Sequence, residues 1–300
     1  MTGLAELLAK SGPLTGKEFC LKTGADEFTA WTSCKRHPQV ATLVVGRRYL
    51  RIDRHVEDYA RLSPSIMREF LGYTVTGSAG QMQLLEQKAK QLAREIALIS
   101  ARKFDLARKT VARLVEEHEA AALIKQRACF MLAGDVVYNM AHAEPRPEPS
   151  TGELVKGSDL DLIVVTADLP EEVLQSLDAA IYHEKYRLLT NPAVREEIDY
   201  IVKDISRVRE QLCCHQFKDL VAAKILDEAA FLYGSRPLFE QIKALLEQEG
   251  VPARMHTLKE KAVHNRRQAE AYLLSKDKES LAAEEFMKLF YTAEEKEEIF

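Results

Sequence analysis

Cysteine is scarce in this 300-residue chain: five residues, Cys20, Cys34, Cys129, Cys213 and Cys214. No two are spaced as C-x-x-C, so neither a zinc site nor a disulfide framework is expected, and reduced thiols fit a cytoplasmic protein. Ten prolines and 13 glycines are too few for a collagen-like or low-complexity chain. No apolar run approaches the ~18 residues of a membrane-spanning helix, so no membrane partner is expected. The opening MTGLAELLAKSGPLTG lacks the charged start and long apolar stretch of a secretory signal. Neither sign of charge dominates: 42 Lys and Arg stand against 46 Asp and Glu, a net charge of −4. What remains is an ordinary globular mixture, 46% apolar and 29% charged. At about 150 residues per domain, two domains are expected.

The small net charge hides two local biases. Lys35 to Arg54 holds six basic residues and one acid, whereas Lys276 to Phe300 holds four Lys and eight acids. The basic stretch lies in a segment with a recognisable pattern. Residues 4–10 read as an amphipathic helix ended by Gly12-Pro13. Thr15 can cap a second helix, with Glu18 at the capping-box spacing. Glu27 to Lys35 fits a third. ATLVVGRRYLRID then reads as two short strands about a Gly46-Arg47-Arg48 turn, a hairpin signature. Three short helices and a hairpin resemble a winged helix-turn-helix over residues 1–60. That resemblance implies nucleic-acid contacts by Lys35 and Arg36 on the third helix and by Arg47, Arg48, Arg51 and Arg54 at the wing. Winged helices also bind proteins. Trp31 is expected in the core.

Residues 61–127 read as a helical connector. From Gln81 the chain is rich in Ala, Leu, Glu, Lys, Gln and Arg, without Pro or Gly until Gly134. Leu85, Leu92, Ile96, Ile99, Val111, Leu114 and Val115 form its apolar stripe. Residues 128–205 alternate. A buried strand over 128–133 ends at Gly134, and Asp135 to His142 reads as a helix. Glu144 to Gly157, with three prolines, reads as a loop. Leu160 to Thr166 is a strand, Pro170 to Leu189 a helix, and Glu197 to Val202 a third strand. Residues 206–300 read as helical, with breaks at Gly234-Ser235 and Gly250-Val251-Pro252. The expected class is α+β: a winged helix, a helical connector, a mixed sheet with helices and a helical C-terminal region.

The chemistry is concentrated in Gly157-Ser158-Asp159-Leu160-Asp161-Leu162-Ile163-Val164-Val165. Successive strand residues point to opposite faces, so Asp159 and Asp161 share one side. Two adjacent carboxylates repel unless a cation neutralises them. Oxygen donors of this kind suit Mg²⁺, which completes its shell with water and substrate phosphates. Asp199, in the apolar run Glu197 to Val202, can join them if the two strands are neighbours. Three carboxylates can hold two cations about 3.5–4 Å apart.

These residues resemble the polymerase-β-type nucleotidyltransferase superfamily, especially its small bacterial members. That pattern is an apolar strand ending in glycine, a short helix, Asp-x-Asp on a second strand and one more acid on a third. Phe130-Met131-Leu132-Ala133-Gly134, Asp159, Asp161 and Asp199 match it over residues 120–205. The resemblance implies a transferase that moves a nucleoside monophosphate from an NTP to a hydroxyl of an acceptor that the sequence leaves open. Asp159, Asp161 and Asp199 would be catalytic and hold two Mg²⁺ ions. Gly134, Ser158 and a helical lysine, Lys218 or Lys224, would contact the nucleotide. Two features depart from the pattern. Asp135 stands where a small phosphate-contacting residue is usual, and the loop from Gly134 to Asp159 is long. Either Gly157-Ser158 supplies the phosphate contact, or the site is modified. A DNA-binding regulator with a degenerate transferase domain, and a toxin-like transferase acting on RNA or protein, are the alternatives. His215, beside Cys213-Cys214, is a further but weak metal candidate, and Tyr233 and Arg236 could stack on a base or meet phosphate.

Overall fold

The computed structural model describes residues 2–148, 151–214 and 216–291. Its secondary structure is mixed, helices together with several small sheets, as an α+β reading requires. The described residues divide into two compact units, one of residues 2–97 and 258–291 and one of residues 98–257. Among the described residues, no helix is long and apolar enough to cross a membrane.

In the first unit, α1 (Thr2–Ser11) leads to β1 (Leu14–Thr15), α2 (Gly16–Thr23) and α3 (Glu27–Arg36). Thr15 caps α2 as expected: its hydroxyl accepts the Glu18 N–H at 3.2 Å, and Glu18 accepts the Thr15 N–H at 2.8 Å. Then come β2 (Val40–Val44), β3 (Tyr49–Ile52), β4 (Ala60–Ser63), α4 (Ile66–Tyr73) and β5 (Thr74–Ser78). Strands β1, β5 and β2 form one antiparallel sheet with β5 central, and β3 and β4 form a separate pair.

The expected hairpin of β2 with β3 is therefore corrected. The register of β2 runs from Val40 opposite Ser78 to Val44 opposite Thr74, and the Val45 N–H extends it to the Tyr73 carbonyl. Strand β2 thus takes β5 as its antiparallel partner, and β3 takes β4. Gly46-Arg47-Arg48 links two sheets and is not a wing tip between paired strands. Phe19, Phe28, Trp31, Phe70 and Phe290 pack the core of this unit. Phe290 meets the Phe28 ring edge-to-face at 5.2 Å, the geometry that aromatic quadrupoles favour.

Helix α5 (Met82–Glu116) starts in the first unit and ends in the second, and α6 (Ala121–Arg127) follows. The remaining elements of the second unit are β6 (Ala128–Leu132), α7 (Asp135–Tyr138), β7 (Pro145–Pro147), β8 (Leu154–Lys156), β9 (Leu160–Thr166), α8 (Glu171–Thr190) and β10 (Ile198–Asp204). After them come α9 (Ile205–Leu212), α10 (Phe217–Glu228), β11 (Ala230–Gly234) and α11 (Arg236–Gln248). Helix α12 (Val251–Leu274) returns to the first unit, where α13 (Ala283–Leu289) lies.

The sheet order is β10-β9-β6-β11. Strands β9 and β10 are parallel, joined by the crossover helix α8, as parallel pairing requires. Strand β6 is antiparallel to both β9 and β11. Leu160, Leu162, Val164 and Ile198 face a core that includes Leu177, Ile181 and Leu188 of α8.

Three further expectations change. The helix expected over 135–142 stops at Tyr138, because Asn139 turns left-handed at φ +57°. The loop expected over 144–157 contains the β7–β8 pair. The connector expected to be helical contains β4 and β5, and β11 ends at the break expected at Gly234-Ser235 in the C-terminal region.

Candidate active site

Strand β6 is buried along its whole length and delivers the chain to Gly134. The Ala133 N–H donates to the Asp161 carbonyl at 3.0 Å, which seats this corner beside β9. Gly134 has φ +70°, and a Cβ there would lie 2.0 Å from Asp161 Oδ2. Glycine is required twice over, for the left-handed backbone and for room beside a carboxylate.

Asp161 lies on β9 and Asp159 just before it. Both are half-buried, and in parallel register Asp161 stands opposite Asp199 of β10. Burial pushes the Asp161 carboxyl well above the usual carboxylate range, and the negative charges of Asp159, Asp135, Glu228 and Asp199 add to the effect. Asp159 is raised by burial as well. The Arg146 guanidinium works against that shift, while Asp199 and Asp135 reinforce it.

The expected acids thus come to one corner of the sheet, but not on equal terms. The Asp199 side chain is 56% exposed and pairs with Lys185 Nζ at 3.0 Å. Asp135 Oδ2 accepts the Ser158 hydroxyl at 2.9 Å, and that hydroxyl in turn accepts the His142 N–H at 3.2 Å. The Ser158 hydroxyl is therefore directed to an acid. Among the described residues, no three His, Cys, Asp or Glu side chains stand close enough together to hold a metal ion as placed. The flanking acids Asp135, Asp199 and Glu228 are each drawn to a donor of their own.

Glu228 is the site residue that sequence reasoning missed. One of its oxygens accepts the Gly134 N–H at 3.3 Å, and the other lies 2.5 Å from Lys224 Nζ. Its side chain is only 5% exposed. The Tyr138 phenol is pushed upward mainly by burial, with Glu228 contributing as neighbour and hydrogen-bond partner. The overlooked signal was β11. Ala230 pairs with Leu132, so the last turn of α10 must end beside Gly134.

Other candidates fall outside this corner. Lys218 lies exposed on α10, and Lys224, one turn and a half further on, is the lysine that reaches the acids. Tyr233 donates to Glu116 at 2.5 Å, and the Arg236 guanidinium lies 4.0 Å from the Phe231 ring centroid. Ser235 caps α11. Asp204 caps α9 by accepting the Ser206 N–H at 2.8 Å. His215 lies outside the described residues. All five cysteines are free thiols, and burial pushes the Cys129 thiol up to about 12.

In the first unit, Arg48 does not point outward from a wing. It donates to Glu69 at 2.5 and 2.6 Å and to Glu270 at 3.0 Å. Arg36 donates to the carbonyls of Leu274 at 3.0 Å and Lys276 at 2.7 Å. Lys35 Nζ donates to the Thr42 hydroxyl at 3.3 Å. Arg47 and Arg54 are exposed, and Arg51 is half-buried.

No protein-family model matches the chain, and no curated protein matches it.

Proposed function

We propose that the second unit is a Mg²⁺-dependent nucleotidyltransferase domain of the polymerase-β type. The observation that carries the reading is the pair Asp159 and Asp161, close enough that the charge of Asp159 raises Asp161, with Asp161 against Gly134 and Asp199 in register on the next parallel strand. The mixed order β10-β9-β6, with the first two parallel, supports it further.

The donor chemistry fits the metal, and the carboxylates would have to close on it, since among the described residues no three stand close enough as placed. Every candidate ligand is a carboxylate, and hard oxygen donors whose charges raise one another suit Mg²⁺. Asp159 and Asp161 would hold it, with Asp199 completing a two-ion site. When bound, Mg²⁺ neutralises the carboxylates and the triphosphate and lowers the pKa of the attacking hydroxyl. The remaining work falls to the chain's own residues. Gly134 lets the triphosphate approach the backbone, and Lys224 meets its charge. Asp199, being exposed, takes the acceptor hydroxyl proton. The acceptor oxygen then bonds to the α-phosphorus, and the bond to the bridging oxygen breaks to release pyrophosphate.

We read the first unit as a winged helix enlarged by the β3–β4–α4 insertion. Its antiparallel β1-β5-β2 sheet and α1–α3 support that reading. Lys35, Arg47, Arg51 and Arg54 are its candidate nucleic-acid contacts. With NTP as substrate and thiols reduced, the protein would work in the cytoplasm.

A second reading, a DNA-binding regulator with a degenerate site, is favoured by one observation. Glu228 already holds the Gly134 N–H, and Asp135 already holds the Ser158 hydroxyl. The experiment that decides is thermal unfolding with Mg²⁺ and each of the four NTPs, on wild type and Asp161→Asn. Stabilisation of the wild type alone supports the transferase, and stabilisation of neither supports the regulator. Labelled NTPs offered to RNA, protein and small hydroxyl acceptors then identify the acceptor.

A further inference from the structure

The long loop before Asp159 is more than a connection. Two cations of the second unit are buried behind it, away from the exposed basic residues. Lys103 of α5 is 4% exposed and Arg146 of β7 is 6% exposed. Lys103 Nζ donates to the carbonyls of Lys156 at 2.6 Å and Ser158 at 2.7 Å, and it also pairs with the Glu196 carboxylate. Arg146 Nε donates to the Gly157 carbonyl at 2.8 Å, and its Nη2 donates to Glu197 at 2.7 Å.

The two arrangements repeat one logic. Each cation holds carbonyls in 156–158, just before β9, and a carboxylate in 196–197, just before β10. Backbone bonds cross the same gap, from the Lys156 N–H to Arg195 and from the Leu160 N–H to Glu197. Gly157 completes the joint: at φ +63°, a Cβ would lie 2.0 Å from the His142 carbonyl oxygen.

We propose that Lys103 and Arg146 are positioning residues that clamp the segment before β9 to the segment before β10, and so fix Asp159 and Asp161 relative to Asp199. The β7–β8 insert exists, on this view, to carry Arg146 back to the strand it precedes. The inference rests on the nucleotidyltransferase reading, because it concerns where that reading's metal-holding acids stand. A buried cation bonded to backbone carbonyls has little freedom to move, and partners of this kind set ligand orientation.

The test measures Mn²⁺ binding to the full chain by the electron paramagnetic resonance of the free ion. Amide hydrogen exchange over residues 156–161 and 196–200 is followed in parallel. The paired variants Lys103→Met with Glu196→Met, and Arg146→Met with Glu197→Met, remove each bridge without stranding a buried charge. Arg146→Lys keeps the charge but cannot span both partners, so it serves if a paired variant fails to fold. Wild type should bind Mn²⁺ and Asp161→Asn should not. The paired variants should bind about tenfold more weakly, the scale of lost ligand support, and exchange faster at 156–161. Arg146→Lys should fall between them and wild type. Wild-type affinity in the folded variants overturns the clamp and leaves the transferase reading standing. A wild type that binds no Mn²⁺ overturns the reading, and the clamp's role with it.

Discussion

Each unit of the molecule buries a cluster of charge, and the two clusters are built differently. In the first unit, Arg48 and Arg266 face Glu69 and Glu270. Arg266 donates to Glu270 at 2.9 Å and to the Pro64 carbonyl at 3.0 Å, and it lies 3.5 Å from Glu69. Two cations meet two anions, with each side chain shared. In the second unit, Asp159 and Asp161 are surrounded by more acids, Asp135, Asp199 and Glu228. The first cluster is closed in charge, two cations against two anions, although Arg266 Nη2 is buried without a hydrogen bond. The second carries an excess of negative charge that a cation would relieve. On the proposed reading, the balance of charge is what separates a structural network from a site, since burial and residue type are shared by both.

The largest test is aimed at the closed cluster. Arg266→Met leaves the buried Glu69 with Arg48 as its remaining cation and the Pro64 carbonyl without its donor, and should cost about 3 kcal/mol. Urea denaturation measures it, and a loss well below 1 kcal/mol would mean that the cluster is not closed.

The open cluster should respond in the opposite direction. With metal chelated, Asp161→Asn removes a repulsive charge and should leave stability unchanged or raise it. It should also abolish the stabilisation by Mg²⁺ and NTP, about 2.7 kcal/mol for wild type when ligand is a hundredfold above Kd. A chelated variant markedly less stable than wild type would break the contrast.

The same acids set a pH dependence. Asp159 and Asp161 have folded-state pKa values above their unfolded ones. Between those values the folded chain keeps protons that the unfolded chain has released, so stability falls as pH rises through the window. Chelated wild type should lose stability from the ordinary carboxylate range upward, and Asp161→Asn should lose less. Denaturation midpoints across that range measure the difference.

The smallest effects separate the exposed cations from the enclosed ones. Arg47→Glu should change stability by no more than about 0.5 kcal/mol, as exposed substitutions do. If the first unit binds DNA, that variant should also flatten the salt dependence of binding. Lys218→Ala should leave nucleotide affinity unchanged, whereas Lys224→Met should weaken it. Titration calorimetry with Mg²⁺ and the preferred NTP distinguishes the two.

Local pattern was readable where local residues decide. The apolar run over 160–166 became β9 with the expected bounds, and the capping box of Thr15 and Glu18 formed. The acids were readable because their spacing is a property of one strand. Pairing between distant segments was not. The partner of β2 lies some thirty residues away in β5, and nothing near Gly46 announces it. Arg48 looked like a wing residue because Glu69 and Glu270 are 21 and 222 positions distant. Lys103 left a trace that could have been followed. It interrupts the apolar stripe of α5 between Ile99 and Ala107, where a lysine must find a buried acceptor.

Strand β10 has a consequence of another kind. It ends the sheet, bonded through β9 on one side, so its other side offers backbone groups to any extended segment that drifts near. Asp199, Ile201 and Lys203 alternate along one of its faces, and Ile201 is 49% exposed. The two charges bracket the exposed isoleucine, and charges on an edge strand disfavour addition of a foreign strand. Asp199 would thus guard against aggregation as well as take a proton. Replacing it with valine should leave a chain prone to self-association, independent of any catalytic loss, and light scattering on warming would report it.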